Sequence, residues 1–137
     1  MNIKIISLIF LSSFIAVSAC AGIKENNLSS PQFDKSQIVL EDYAHFEKFR
    51  SAMEAAFPIG TSKDTIDGIL VKNNGAEIYD DGEYKSPYIK MSNEERAVRY
   101  YKDHTITMEC KFIVIAIYNK SDFLTRKIDA YYGCTGP

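Results

Sequence analysis

Every residue from 112 to 118 is apolar, and this one run limits the architectures open to the chain. Side chains of a strand point alternately to opposite faces, so Ile113, Ile115 and Ile117 look one way while Phe112, Val114 and Ala116 look the other. A strand apolar on both sides needs cover on both sides, which is the position of a central strand. Its neighbours carry more charge, with Arg96, Arg99 and Lys102 before it and Arg126, Lys127 and Asp129 after it. We therefore expect strands over 97–102, 105–118 and 123–132. A turn at Asp103-His104 and a tight loop at Lys120-Ser121-Asp122 join them into a three-stranded antiparallel meander.

Two helices precede these strands. Leu40, Tyr43, Phe46, Phe49, Met53, Ala56 and Phe57 recur at helical spacing, and Glu41, Asp42, Glu47, Lys48, Arg50 and Glu54 occupy the other side. The pattern predicts an amphipathic helix over 40–57, stopped by Pro58 and Gly60. A shorter helix follows, opened by a capping box at Thr61 and Asp64, with Ile66, Ile69 and Leu70 as its apolar face. Asn74-Gly75 closes it in a left-handed cap. Residues 76–95 carry turn signals at Asp80-Asp81-Gly82, Ser86-Pro87 and Ser92-Asn93, and Tyr79, Tyr84, Tyr88 and Ile89 fit a short strand or a packed loop equally. The fold class is α+β: two N-terminal helices packed on the meander, forming one domain over 36–137.

Whether Cys110 and Cys134 meet is a question of register. If Tyr118 pairs with Phe123, Cys110 lies opposite Tyr131 and Cys134 points to the other face. If Asn119 pairs with Phe123, Cys110 lies opposite Tyr132 and Cys134 is a diagonal neighbour on the same face. The second register is favoured because it sets Phe112 and Val114 against Ala130 and Ile128. It allows a disulfide once Gly133 lets the sulfurs approach, and closing a loop of roughly 25 residues contributes about 3 kcal/mol. The alternative is two free thiols.

The N-terminus belongs to no part of this fold. Lys4 precedes an uncharged apolar stretch over 5–17, and Val17-Ser18-Ala19-Cys20 follows from its end. As a helix the stretch would reach roughly 20 Å, short of a bilayer core of about 30 Å, which suits a cleaved signal better than a permanent span. Val17-Ser18-Ala19-Cys20 resembles the lipobox of bacterial lipoproteins. The resemblance implies a signal peptide over 1–19, cleavage before Cys20, and attachment of acyl chains to the Cys20 sulfur and new amine. Several chains make a stable anchor where one is marginal, each buried methylene contributing about 0.8 kcal/mol. Ala21, where Asp often marks inner-membrane retention in that family, implies the outer membrane, with the domain facing the periplasm. The polar run to residue 35, with Asn26-Asn27, Ser29-Ser30 and Pro31, reads as a flexible tether. The alternative is an ordinary secretory signal with Cys20 incidental.

Anchor, tether, two helices and meander, together with Ile59-Gly60-Thr61-Ser62-Lys63-Asp64-Thr65-Ile66, resemble the small outer-membrane lipoproteins of the SmpA/OmlA (BamE-like) family. That family usually follows its second helix with a Leu-Gly-x-Pro turn, where this chain reads Leu70-Val71-Lys72-Asn73-Asn74-Gly75. The resemblance implies a non-enzymatic accessory role in outer-membrane assembly or integrity.

The formal net charge is -2. Losing Lys4 with the signal leaves 15 Lys+Arg against 18 Asp+Glu, or -3. Nucleic acid, which needs a basic surface to replace counterions, is not an expected partner. His45 and His104 lack Cys or His partners at ligand spacing, so no metal is expected. Asp80-Asp81-Gly82-Glu83 is similar to a calcium loop but lacks the alternating oxygens and terminal Glu. No catalytic constellation and no cofactor motif is visible. The nine tyrosines include pairs at Tyr100-Tyr101 and Tyr131-Tyr132, each with one ring inward and one outward. Outward rings beside Arg99 make Tyr101, Tyr131 and Arg99 a candidate surface for binding another envelope protein. The alternative functions are binding a small ligand or peptidoglycan under the 76–95 loop, or inhibiting a secreted enzyme.

Overall fold

In a computed structural model of the chain, residues 28, 30, 32–79 and 89–135 are described. The signal peptide, Cys20, most of the tether, Tyr84, Tyr88 and the acidic turn at 80–83 lie outside them. Two helices, α1 (Phe46–Ala56) and α2 (Lys63–Asp67), precede an antiparallel sheet of β1 (Glu77–Tyr79), β2 (Arg96–Thr105), β3 (Glu109–Tyr118) and β4 (Asp129–Thr135), paired in chain order. The architecture is α+β.

The first helix is shorter than its periodicity predicts. Leu40–Tyr43 forms a separate 3-10 turn, and His45 is extended before α1 begins. The break falls at Ala44–His45, where the 3-10 turn closes through Ala44 N–H to Glu41 O at 3.4 Å and His45 turns extended. The Leu40 N–H, which has no acceptor within a helix that starts there, donates to the Asn74 side chain at 3.0 Å. In α1, Phe49, Ala52, Met53 and Ala56 form the buried stripe, and Phe46, expected in the core, is 45% exposed. In α2, the Ser62 hydroxyl caps Thr65 N at 3.2 Å. The cap therefore begins one residue later than the box at Thr61. The helix widens into a π turn over Gly68–Asn73 and ends at Gly75, whose φ of +69° is a left-handed conformation that glycine adopts freely.

Asn74 is the one buried polar residue among those described, 7% exposed. Besides accepting from Leu40, its amide donates to Ile38 O at 2.8 Å and Ile69 O at 2.7 Å, and neighbouring Asn73 donates to Ser36 O at 3.0 Å. The segment 36–40 is thereby clasped to the end of the second helix. The domain also begins earlier than residue 36, because Leu28 is buried and Phe33 packs against the core. The polar run is therefore not wholly a free tether.

The sheet has four strands rather than three. Glu77, Ile78 and Tyr79 pair with Tyr101, Tyr100 and Arg99, so part of the ambiguous 76–95 stretch is an edge strand. β2 runs through Asp103 and His104, and the turn lies at 106–108, with Ile106 76% exposed. His104 is held in the strand by its inward ring, which lies 5.3 Å from Phe112 and hydrogen-bonds Tyr132 Oη at 3.0 Å.

The favoured register holds at the turn and then changes. Asn119 N donates to Phe123 O at 3.0 Å, and Tyr118 bridges Leu124. Beyond Thr125 the chain bulges by two residues, so Ile115 meets Asp129 and Cys110 lies directly opposite Cys134 instead of Tyr132. Phe112 and Val114 accordingly pair with Tyr132 and Ala130. The bulge is pinned from outside the hairpin. Glu95 accepts from Thr125 Oγ1 at 2.9 Å and from Arg126 Nε at 3.1 Å and Nη2 at 2.6 Å. Because the shift is two residues, the side-chain parity is unchanged. Cys110 and Cys134 form a disulfide with Cα atoms 3.9 Å apart.

One face of the sheet carries Val98, Tyr100, Phe112, Val114, Ala116, Tyr118 and Ala130 into the core beneath α1 and α2, where Phe49 meets Phe112 edge-on at 5.0 Å. The Tyr100 hydroxyl donates to Asp67 Oδ1 at 2.7 Å and lies 2.8 Å from the Tyr118 hydroxyl. Lys63 in turn pairs with Asp67 Oδ2 at 2.6 Å. Burial of both phenols pushes their pKa values up, so the hydroxyls stay protonated and tie α2 to the sheet.

Candidate functional site

The opposite face of the sheet has two parts. At one end Ala97, Ile115 and Ile117 are buried, and a cavity of about 350 Å³ lies against Ile115, Ile117 and Ile128 between Arg50, Lys90 and Arg126. Arg126 closes this end by donating to Lys90 O at 2.9 Å as well as to Glu95. The Arg126 hydrogen bonds and the Ser92 N–H hold the Glu95 carboxyl down at about 2, and the same pairing raises the Arg126 guanidinium.

At the other end the face is open. The register places Glu77, Tyr101, Ile113 and Tyr131 in one cross-strand row, and Tyr79, Arg99, Ile115 and Asp129 in the next. Tyr79 is 55% exposed and Tyr131 38%, while Tyr101 and Ile113 are half-buried. Each outer tyrosine is steadied by a carboxylate: Tyr101 donates to Glu77 and Tyr131 to Asp129. The Glu77 hydrogen bond raises the Tyr101 pKa, keeping that phenol neutral. Arg99 lies 4.8 Å above the Tyr79 ring centre, a cation–π contact.

The structure thus brings Tyr101, Tyr131 and Arg99 onto one face, as the tyrosine pairs predict. Tyr100 is buried beneath the face and Tyr132 half-buried, each beside its outward neighbour. The sequence reading misses Phe46. Its ring lies 6.4 Å from Tyr131, because Phe46 and Arg50 share the flank of α1 that reaches past β4, where Arg50 Nη2 approaches Asp129 Oδ1 at 3.7 Å. Its signal was its place beside Arg50 at i, i+4, at the margin of the apolar stripe. Phe46, Ile113, Tyr131, Lys111 and Gly133 line an open groove of about 450 Å³ beside the β4 edge.

His45 precedes α1 and is exposed, whereas His104 lies on the inner face with Tyr132. Among the described residues no three His, Cys, Asp or Glu side chains gather as metal ligands. Nor is any helix among them long and apolar enough to cross a membrane. Of the three tyrosines around the 76–95 loop, only Tyr79 falls among the described residues. No protein-family model, curated protein or solved structure matches this chain.

Proposed function

We propose that this chain is a non-enzymatic, lipid-anchored module of the bacterial envelope that binds another envelope protein through the row Tyr101–Ile113–Tyr131, flanked by Arg99 and Phe46. The observation carrying this reading is that row. Aromatic and aliphatic groups stay wholly or partly exposed at one end of a sheet face whose other end is buried at Ala97, Ile115 and Ile117. Aromatic and Arg side chains dominate interface energetics, and rings already held by Glu77 and Asp129 lose little further freedom on docking. Glu77, Asp103, Lys111 and Asp129 around the row would supply a polar rim.

Membrane attachment rests on the apolar stretch 5–17 and on Val17-Ser18-Ala19-Cys20, with Ala21 favouring the outer membrane. The SmpA/OmlA (BamE-like) resemblance is carried by Ile59-Gly60-Thr61-Ser62-Lys63-Asp64-Thr65-Ile66. That resemblance is the ground for a part in outer-membrane assembly or integrity. The test is a photo-crosslinking amino acid placed singly at Tyr101 and at Tyr131 in cells. We expect both sites to label one and the same envelope protein, and Arg99→Glu to weaken the labelling. Failure of both sites to label any protein other than this chain refutes the binding role. Intact-mass measurement of the N-terminal peptide is the separate test of the anchor, with Cys20 expected to carry acyl chains.

A further inference from the structure

We infer that the turn between β2 and β3 is a second membrane contact, with Ile106 and Met108 entering the interfacial layer of the bilayer that holds Cys20. The inference rests on the lipid anchor proposed above. Folding alone gives no reason for the residues found at this turn. Thr105-Ile106-Thr107-Met108 contains none of the Gly, Pro, Asn, Asp or Ser that shape turns. Ile106 is 76% exposed, the highest of the large hydrophobics among the described residues, and Met108 is 43% exposed, so neither packs in the core. No charge falls between His104 and Glu109.

The course of the two helices puts this turn at the end of the domain where the chain enters. α1 begins with Phe46 next to Tyr131 and runs to the far end, where Gly60 N donates to Leu124 O at 2.8 Å. The second helix starts there, with Ser62 bridging Phe123, and runs back to Asn74, which holds Ile38 and Leu40. Glu41 pairs with Lys102, four residues before Ile106. Residues 36–46, the end of β4 at Thr135 opposite Glu109, and the turn at 106–108 therefore share one end of the sheet.

The anchor brings a bilayer to that end. Leu28 is fixed in the core, and from it to Cys20 is eight steps along the chain, at most about 28 Å. That leash is shorter than the roughly 35 Å breadth of a domain of this size, so the entry end stays close to the lipid. Apolar side chains on an uncharged tip gain by leaving water for the boundary between headgroups and acyl chains. Asp103 and Lys111, paired across the hairpin, and Glu109 ring its base and limit entry to the turn itself. The strands then stand upright on the membrane, and Tyr101, five residues from Ile106, lies about 17 Å above the contact. The row Tyr101–Ile113–Tyr131 faces sideways along the bilayer, and it reaches only proteins whose docking site lies near the membrane surface.

The chain contains no Trp, so a single indole reports on its own surroundings. The test places Trp singly at Ile106 and at Phe123, which is exposed at the far end, in the acylated full chain on phosphatidylcholine vesicles with and without brominated acyl chains. We expect Ile106→Trp to emit to the blue of Phe123→Trp and to be quenched several-fold more strongly. Met108→Asp added to Ile106→Trp should remove most of that quenching. All three positions are exposed, so the circular dichroism of each variant should match the parent. Equal quenching at the two Trp sites, no quenching of Ile106→Trp, or quenching indifferent to Met108→Asp overturns the inference. Intact mass of the same preparation separates the two readings. With Cys20 acylated, those results strike the turn contact alone, whereas an unmodified Cys20 removes the anchor and the contact with it.

Discussion

Replacing Asn74 by Asp changes one NH2 group to oxygen and little else, yet it should cost much of the domain's stability. The Asn74 side chain serves three backbone groups: Leu40 N at 3.0 Å, Ile38 O at 2.8 Å and Ile69 O at 2.7 Å. Asn74→Ala strands all three, and at about 1 kcal/mol each the loss is about 3 kcal/mol. Asn74→Asp keeps the acceptor for Leu40 but turns a carboxylate toward two carbonyl oxygens, for a loss of about 3–5 kcal/mol at pH 7. The new carboxyl would have a folded-state pKa raised above its unfolded value of about 3.9. Its deficit against the parent therefore shrinks as pH falls through the folded pKa, and is least below about 3.9. Urea unfolding of both variants from pH 7 down to pH 3 measures this, with amide exchange at Leu40 protected in Asn74→Asp and lost in Asn74→Ala. An Asn74→Asp protein within about 0.5 kcal/mol of the parent at pH 7, or a deficit that ignores pH, refutes the clasp.

Three further outcomes are expected. Replacing Cys110 and Cys134 together by Ala should lower stability by about 3–4 kcal/mol in denaturant melts, since the bond closes a sequence separation of 24; a loss under about 1 kcal/mol would mean that the reduced chain is already ordered there. Glu95, held at about 2 by Arg126 and the Ser92 N–H, stabilises the fold above the ordinary carboxylate range, and that share disappears as pH drops from about 4.5 toward 2. Glu95→Gln should flatten the acid limb of the melting temperature, and an unchanged limb would dismiss the pairing as a source of stability. Tyr101→Ala should shift unfolding by only about 0.5 kcal/mol while abolishing crosslinking from Tyr131 to the envelope partner, whereas a large loss of stability would make Tyr101 a structural residue.

What the sequence revealed and what it hid divide along the distance over which each feature is decided. The central place of β3 is written in residues 112–118, because period-two alternation makes both faces apolar without reference to anything else. The same alternation, with Asn119 set against Phe123, put Tyr101 and Tyr131 on the outside and the two cysteines on one face, and the two-residue shift seen in the structure keeps that parity. The two-residue bulge was not legible. It depends on Glu95 gripping Thr125 and Arg126 from 30 and 31 residues away. The split of the first helix at Ala44–His45 was hidden as well, because apolar spacing continues across it while the backbone does not. The strand Glu77–Tyr79 is too short to announce itself by alternation and exists because β2 offers it an edge. Helical spacing places Phe46 in the core because spacing alone does not say how far the sheet extends beneath a helix.

The clasp at Asn73 and Asn74 has a mechanical side. Tension applied from the N-terminal side, once it has stripped the packing of Leu28 and Phe33, meets a specific hold at 36–40, where two adjacent amides bear the bonds to Ser36, Ile38 and Leu40. The ladder between β2 and β3 and the crosslink at Cys134 lie beyond that point and carry the same pull, but a few side-chain bonds, the Glu41–Lys102 pair among them, yield before a ten-residue ladder does. Peeling residues 36–45 away would lengthen the leash by about 35 Å while the four-stranded sheet stays closed. The clasp thus acts as a fuse, giving reach under strain before the sheet itself opens.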